Sequence, residues 1–285
     1  MQRRHFVECA AAGGTALAVG GWGSCTRDRA AGSGIAWGIQ LYTLRSLMEA
    51  DVERTLAQVA ELGYREVEFA GYFARSPDQI AAVLAAEGLS APATHLPLEA
   101  FRDHLDSTLE TASAAGHRYL VLPWMPDEMR GDSDTYRRTG EEMNAWGAKC
   151  AQAGMRFGYH NHDFELVLFA APAADAATPL DVLIQSTDPD LVTFEMDFFW
   201  MVHGGADPLD FFARYPGRFE LCHVKDRTAD GQMVDVGAGT IDFAGILAER
   251  GGAGMRHYFV EHDNPADPMN TARGSLDHLA SLGIS

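Results

Sequence analysis

The feature that most constrains this chain is a regular alternation of short apolar segments with longer amphipathic segments, which begins near residue 34. The short segments are continuously apolar or alternate with period two, whereas the longer ones repeat their apolar residues every three to four positions, so the pattern predicts strands alternating with helices. The eight predicted strands are 34–42, 65–69, 90–95, 118–122, 156–160, 191–196, 218–224 and 257–261. Eight strand–helix units over about 250 residues have the size of a closed (β/α)8 barrel.

The alternative for such an alternation is an open, doubly wound sheet. That architecture would place a glycine-rich phosphate loop after the first strand, and here the segment 40–45 reads Gln-Leu-Tyr-Thr-Leu-Arg instead. We therefore expect a single-domain (β/α)8 TIM barrel over residues 34–285. Among its helices, Ser76 and Pro77 predict a capped start and Gly88 an end, while 98–115 reads as one continuous helix.

Residues 1–33 read as an export signal followed by a linker rather than as part of the fold. Arg3 and Arg4 precede Phe6, and a stretch of small apolar residues follows over 9–21, which is the order of a twin-arginine signal. The alternative is an apolar first helix of the domain, but the Gly/Ala-rich composition is poor for a core helix. We expect the twin-arginine machinery to deliver the protein to the periplasm, with a lipid anchor at Cys25 as a weaker alternative.

Net charge excludes one class of partner. The 285 residues include 22 Lys and Arg against 40 Asp and Glu, which gives a formal charge of −18. A polyanion of this kind repels phosphate backbones, so we expect no nucleic-acid partner. After the N-terminal segment no apolar run is long enough to span a bilayer, and we expect no membrane span.

Carboxylates and imidazoles collect where four consecutive predicted strands end. In a barrel those ends meet at one rim, which is where such folds build their active sites. The acids packed there would repel one another and raise their own pKa values unless a cation neutralised them. Mixed oxygen and imidazole donors suit Mn²⁺, Fe²⁺, Co²⁺ or Zn²⁺ better than Mg²⁺. The carboxylates and imidazoles concerned are His160, His162, Asp163, Glu165, Glu195, Asp197, His223, Asp226, Glu261, His262 and Asp263, and Lys225 lies among them in the sequence.

Four strings at these strand ends resemble the sugar phosphate isomerase/epimerase family, the xylose isomerase-like barrel group that also includes endonuclease IV-like proteins. The first strand and the Glu-Val-Glu of the second also resemble the family, and the likeness covers nearly everything after residue 34. The four strings are Tyr-His-Asn-His-Asp-Phe-Glu at 159–165, Glu-Met-Asp-Phe-Phe-Trp at 195–200, His-Val-Lys-Asp at 223–226 and Val-Glu-His-Asp at 260–263.

The resemblance implies one divalent ion held by one residue from each of strands five to eight. Asp197, His223 and Glu261 match three of these positions. The strand-five position departs from the family pattern, because many relatives carry Glu where this chain has His160. Either Glu165 reaches back to the ion or His160 replaces the usual Glu, and we expect Glu165. Mn²⁺ is the expected ion, with Zn²⁺, Co²⁺, Fe²⁺ or Mg²⁺ as alternatives.

The resemblance also implies the chemistry: an isomerase or epimerase that acts on a sugar or keto-sugar through a metal-stabilised enediolate. One alternative is a lyase or hydratase that performs β-elimination on 3-keto-glycosides or inosose-like substrates. A non-catalytic exported sugar-binding barrel and a metal-dependent AP endonuclease are further alternatives, the latter disfavoured by charge and export. The expected proton movers are Glu165, Glu261, His162 and Lys225, and the expected sugar-binding residues are His95, Trp124, His160 and Trp200.

Overall fold

The structure, a computed structural model, describes residues 34–169 and 177–284. The predicted signal peptide and linker, residues 1–33, lie outside the described residues, so export remains a prediction.

The predicted barrel is confirmed. The barrel strands are β1 Trp37–Gln40, β2 Glu66–Phe69, β3 Ser90–His95, β4 Tyr119–Leu122, β5 Arg156–His160, β6 Val192–Asp197, β7 Leu221–Val224 and β10 His257–Val260, and two short strands outside the barrel are β8 Asp226–Arg227 and β9 Met233–Val234. The barrel strands are all parallel and close in the order β1-β10-β7-β6-β5-β4-β3-β2, with β2 returning to β1. The register sets the ends of neighbouring strands side by side: Asp197 of β6 pairs with His223 of β7, and His160 of β5 pairs with Glu195 of β6.

Helices surround the barrel and cover its outer face. Within the described residues, none of them has both the length and the apolar composition that crossing a bilayer requires. Short 3-10 turns lie at Leu41–Leu44, Asp127–Met129 and Phe164–Leu166. The α-helices are α1 Arg45–Ala50, α2 Val52–Leu62, α3 Pro77–Glu87, α4 Leu98–Arg102, α5 Leu105–Ala115, α6 Ser133–Gln152, α7 Pro179–Ser186, α8 Phe198–His203, α9 Pro208–Arg214, α10 Phe243–Ala248, α11 Arg250–Ala253 and α12 Pro268–Ser281.

Side chains fill the barrel interior in two zones. A small apolar cluster occupies the lower part of the interior, toward the N-terminal ends of the strands, and the polar residues of the site lie above it. The outward faces of the strands pack with the helices into the main hydrophobic core. Because strand residues alternate in direction, each strand can present apolar groups to the helices and polar groups to the interior. The lower cluster consists of Ala93, Tyr119, Val121, Leu221 and Phe259.

Local details confirm some predictions and correct one. The Ser76 side chain caps α3, Pro77 opens it, and Gly88 ends it with φ +66°. The helix predicted over 98–115 is broken into α4 and α5, because the backbone of His104 (φ −133°) leaves the helical region. Apolar positions continue through the break with helical spacing, so the pattern could not reveal it. An antiparallel ribbon of β8 Asp226–Arg227 and β9 Met233–Val234 was not predicted, since two-residue strands leave no periodic signal.

Candidate active site

Three of the four predicted metal ligands meet at the C-terminal rim of the barrel. His223 Nδ1 lies 2.6 Å from Glu261 Oε2 and 4.0 Å from Asp197 Oδ2. All three side chains are buried. They come together because β6, β7 and β10 are neighbours and end at the same height.

Lys225 provides the positive charge of this group. Its Nζ lies 3.0 Å from Asp197 Oδ2, 2.7 Å from Glu261 Oε2 and 3.0 Å from Asp263 Oδ1. Burial opposes its charge, but the carboxylates outweigh burial and hold the pKa of Lys225 well above its ordinary value. Lys225 and His223 likewise outweigh burial at Glu261, whose pKa lies well below the ordinary value. Lys225 is therefore a charged partner of the carboxylates rather than a free amine.

The structure does not bring Glu165 to the other predicted ligands. The chain turns at 164–166, and the Glu165 carboxylate accepts hydrogen bonds from the Tyr159 hydroxyl and from the backbone N–H of His162, the latter at 2.9 Å. Among the described residues, Glu165 is not one of the side chains whose donor atoms lie close enough together to hold an ion. Burial raises the pKa of Glu165 to about 7. In this conformation Glu165 fixes the turn that carries His162.

His160 points into the barrel beside Asp197. Its Nε2 lies 3.6 Å from Asp197 Oδ2, and its Nδ1 lies 3.0 Å from Glu195 Oε2. Burial, reinforced by the positive charge of His223, lowers the pKa of His160 to about 3, so its ring is neutral. A neutral imidazole at this position has a lone pair available for a cation.

Below the rim lies a second layer of polar groups, centred on Glu195 and Glu68, which were not among the four predicted metal ligands. Glu195 Oε2 lies 2.7 Å from His95 Nε2 and 3.2 Å from His223 Nε2, and Glu68 Oε2 lies 2.7 Å from the same His223 nitrogen. Gln40 donates to Glu68 at 2.8 Å. The signal was present in the strand period: Glu195 is two residues before Asp197, so both must face the interior.

The charges of these two layers indicate a cation site. Burial, followed by repulsion from Glu195, raises the pKa of Glu68 to about 7, and burial raises that of Asp197 to about 6. Within these two layers, Glu68 Oε1 and Glu195 Oε1 are buried and make no hydrogen bond to any described residue, and Asp197 Oδ2 is buried with Lys225 as its ion-pair partner. Two groups of side chains have donor atoms close enough to hold an ion: His95, His160, Glu195 and His223, and Asp197, His223 and Glu261. Unsatisfied buried oxygens beside imidazole nitrogens fit a divalent transition metal.

A cavity of about 790 Å³ opens above this group. Its lining includes the predicted residues His95, Trp124, His160 and His162, and Trp124 stands half exposed at the mouth. His162 is half-buried, its ring lies 4.8 Å from that of Trp124, and its buried Nδ1 has no hydrogen-bond partner among the described residues. Burial lowers the pKa of His162 well below its ordinary value.

Trp200, also predicted to bind sugar, is placed differently. Its ring centroid lies 5.3 Å from that of His162, and Lys225 Nζ lies over the ring at 6.0 Å from the centroid. Trp200 is not among the residues that line the cavity. The aromatic ring therefore supports the site residues from one side.

Comparison with known proteins agrees with this fold. The sequence profile of the family described as "Xylose isomerase-like TIM barrel" matches residues 56–282. An inosose dehydratase from Geobacillus kaustophilus is 27% identical over 240 residues, which cover 69% of this chain and 75% of that enzyme. A crystal structure described as a sugar phosphate isomerase/epimerase from Parabacteroides distasonis is 25% identical with a TM-score of 0.76, covering 88% of this chain and 95% of that one. A zinc-containing structure described as IOLI protein shares the fold, with a TM-score of 0.68, 13% identity, and coverage of 87% and 98%.

Proposed function

Because the chain belongs to the xylose isomerase-like TIM barrel family, we propose that it is a divalent-metal-dependent isomerase or epimerase that removes the proton beside the carbonyl group of a neutral sugar. Its relatives make the chain an enzyme of the isomerase, epimerase or lyase type. The observation that carries the proposal is His162, a half-buried imidazole with an unpartnered nitrogen that lines the cavity above the candidate metal residues.

The residues that would hold the ion are His160, Asp197, His223 and Glu261, one from each of four consecutive strands. Two facts support this set: His160 Nε2 and His223 Nδ1 both face Asp197 Oδ2, and the charged contact of that oxygen in the described structure, apart from these imidazoles, is the ion pair with Lys225. When bound, a divalent ion supplies Lewis-acid polarisation of a sugar carbonyl, which acidifies the neighbouring C–H. Two imidazoles and two carboxylates suit Mn²⁺, our first choice, and also Zn²⁺, Co²⁺ or Fe²⁺.

His162 is the group proposed to take the proton. Its free nitrogen can accept one without first breaking a hydrogen bond, and a base must lie within reach of the bound substrate. Lys225, by contrast, is held by three carboxylates and keeps Asp197 and Glu261 together. Its proposed role is therefore electrostatic.

The charges around the cavity favour a neutral substrate over a sugar phosphate. Among the described residues that line it, Lys225 is the one Lys or Arg side chain, and it is already engaged. The acidic lining residues are Glu99, Glu128, Glu261 and Asp263. A phosphate group is normally held by a cluster of Arg or Lys donors, and acids at the mouth would repel it.

A second candidate is a lyase, favoured by the inosose dehydratases among the relatives. Both reactions begin with removal of a proton next to a carbonyl group. They differ afterwards, because reprotonation gives an isomer or epimer, whereas loss of a group from the β-carbon gives an unsaturated product. Inososes and 3-keto-glycosides are the substrates proposed for this route.

The experiment is an NMR screen of keto-sugars, inososes and 3-keto-glycosides in D₂O with Mn²⁺ present. Isomerase or epimerase action predicts a product with the substrate's molecular formula that carries deuterium at a carbon that lost its proton. Loss of water or of the aglycone would assign the lyase route. If the metal-loaded, folded protein exchanges no α-hydrogen in any of these compounds, the proposed function is wrong.

A further inference from the structure

We propose that Glu195, supported by Glu68, is a positioning residue that fixes which nitrogen of His160 and of His223 faces the metal. This inference rests on the metal residues proposed above. It assigns Glu195 a role outside the coordination sphere, although Glu195 lies among side chains that could themselves hold an ion.

One carboxylate oxygen of Glu195 lies close to nitrogens of three imidazole rings. Glu195 Oε2 lies 2.7 Å from His95 Nε2, 3.0 Å from His160 Nδ1 and 3.2 Å from His223 Nε2. The three rings come from β3, β5 and β7, and the carboxylate comes from β6. All are buried except His95, which is nearly so at 11% side-chain exposure.

A carboxylate oxygen accepts hydrogen bonds and donates none, so each imidazole nitrogen that faces it must carry the proton. For His160 this places the proton on Nδ1 and leaves the lone pair on Nε2, the atom nearest Asp197 Oδ2. For His223 both nitrogens face carboxylate oxygens, since Nδ1 lies 2.6 Å from Glu261 Oε2, so each carries a proton in the metal-free ring. Glu195 holds the Nε2 proton, which leaves Nδ1 as the nitrogen that would bind an ion on the rim side. Glu195 thereby fixes, in both rings, which nitrogen faces the rim.

Glu68 reinforces the choice at His223. Its Oε2 lies 2.7 Å from His223 Nε2, the nitrogen that also faces Glu195. The Gln40 side chain donates to Glu68 at 2.8 Å and accepts from the Tyr42 backbone N–H at 3.0 Å, which anchors Glu68 to the first strand. A hydrogen bond from a ligand imidazole to a fixed carboxylate orients the ring and raises its basicity.

His95 distinguishes this arrangement from the alternative in which Glu195 itself binds the ion. Its Nε2 lies 2.7 Å from Glu195 and 3.3 Å from Glu68, and within the described residues no ion pair joins it to Asp197 or Glu261. If Glu195 only positions the rings, His95 is not a ligand. If instead the ion lies in the lower layer, His95 and Glu195 both bind it, and the opposite nitrogens of His160 and His223 do so.

The test measures metal binding by the metal-free full-length protein, with Co²⁺ as the probe, by calorimetry and visible absorption. Glu195→Gln keeps the shape but offers an amide donor to the rings. We expect one ion per chain, a Kd raised 10- to 100-fold, and an unchanged pattern of Co²⁺ bands, because the ligands are the same. Glu261→Gln removes a ligand and is the matched control, for which the bands must change. His95→Asn is expected to alter the Kd less than threefold.

Several results would overturn the inference: a Kd within twofold of wild type for Glu195→Gln, altered bands in Glu195→Gln or His95→Asn, or two ions per chain. Circular dichroism checks folding. If Glu195→Gln does not fold, Glu68→Gln replaces it with an expected three- to tenfold rise in Kd, and an unchanged Kd there overturns the inference. No sugar is present in these measurements, so an inactive enzyme that binds Co²⁺ as expected contradicts only the proposed function.

Discussion

At the scale of single residues, the sequence predicted the side chains at the C-terminal rim better than those of the second polar layer below it. Asp197, His223 and Glu261 meet as expected, because each ends a strand of the same barrel. Glu195 lies two residues before Asp197, one strand period deeper in the barrel. Its place near a strand end does not show whether it binds an ion or orients the residues that do. Glu165 could not be placed from the sequence, since only the turn after β5 decides that its carboxylate returns to Tyr159.

Replacing His162 tests the proposed base. His162→Asn should lower kcat by 10² to 10⁴, the usual contribution of a general base, because the unpartnered nitrogen of His162 is the proposed proton acceptor. Metal content and circular dichroism should stay at wild-type values. His104→Asn, at an exposed position on α5's N-terminal side, is the control and should leave kcat unchanged. Wild-type kcat in His162→Asn would remove His162 from the mechanism.

Glu165 makes a prediction about stability and pH. Its pKa is about 7 in the folded protein and about 4.5 when solvated, so between these values the folded state holds a proton that the unfolded chain releases. Stability is then fully present below about pH 4.5 and falls as pH rises to about 7, by an amount on the order of 3 kcal/mol. Urea unfolding of Glu165→Gln, which cannot ionise, should show a smaller fall over this pH range, because the contributions of Glu68 and Asp197, whose pKa values are also raised, remain.

The control for that measurement is Glu110→Gln, which changes an exposed acid on α5 and should keep the wild-type pH dependence. Metal stoichiometry of Glu165→Gln should also remain that of wild type. A variant that no longer binds Co²⁺ would instead make Glu165 a ligand, as the resemblance led us to expect.

At the scale of elements, every barrel strand was predictable because eight repeats of one strand–helix unit leave a strong periodic signal. The failures are short or interrupted elements: the β8–β9 ribbon has two-residue strands, and the break at His104 lies inside an unbroken apolar spacing. These details depend on contacts that no local pattern records.

Two glycine substitutions test how tightly the strands close the barrel. A Cβ at Gly38 on β1 would lie 2.5 Å from the ring of Phe259 and 3.1 Å from Glu66 Cβ, so Gly38→Ala should destabilise by about 1–3 kcal/mol through overpacking. Gly274 on the exposed face of α12 has nothing within 4 Å of the added carbon. Gly274→Ala should therefore stabilise by about 0.5–1 kcal/mol. Urea midpoints that move in the same direction for both would contradict this account of β1.

At the scale of the whole molecule, the acidic residues that give the charge of −18 fall into two sets with different effects. Most acids lie on the surface and make a nucleic-acid partner unfavourable. A few buried ones face each other around imidazoles and are stable there only with compensating positive charge, from Lys225 in part and from the proposed ion for the rest.

Export is a prediction for the entire chain that rests on its first residues. Changing Arg3 and Arg4 together to Lys should keep the protein in the cytoplasm, because a twin-arginine signal depends on that pair. The matched control changes Arg27 and Arg29 of the linker to Lys and should leave export intact. Immunoblots of periplasmic and cytoplasmic fractions measure the outcome, and equal periplasmic levels for both variants would exclude this route.

Metal binding should couple the site to the stability of the whole barrel. An ion that binds only the folded chain adds about 2.7 kcal/mol at a free concentration of 100 times its Kd. For a barrel of this size that corresponds to a rise in Tm of about 5–10 °C over the chelated protein. Asp197→Asn should lose most of this rise, because its oxygen lies between the two proposed imidazole ligands, whereas Asp210→Asn on exposed α9 should keep it. Calorimetric scans with EDTA and with Mn²⁺ measure the effect, and an equal Tm in both would mean that the buried acids are compensated by Lys225 and protonation alone.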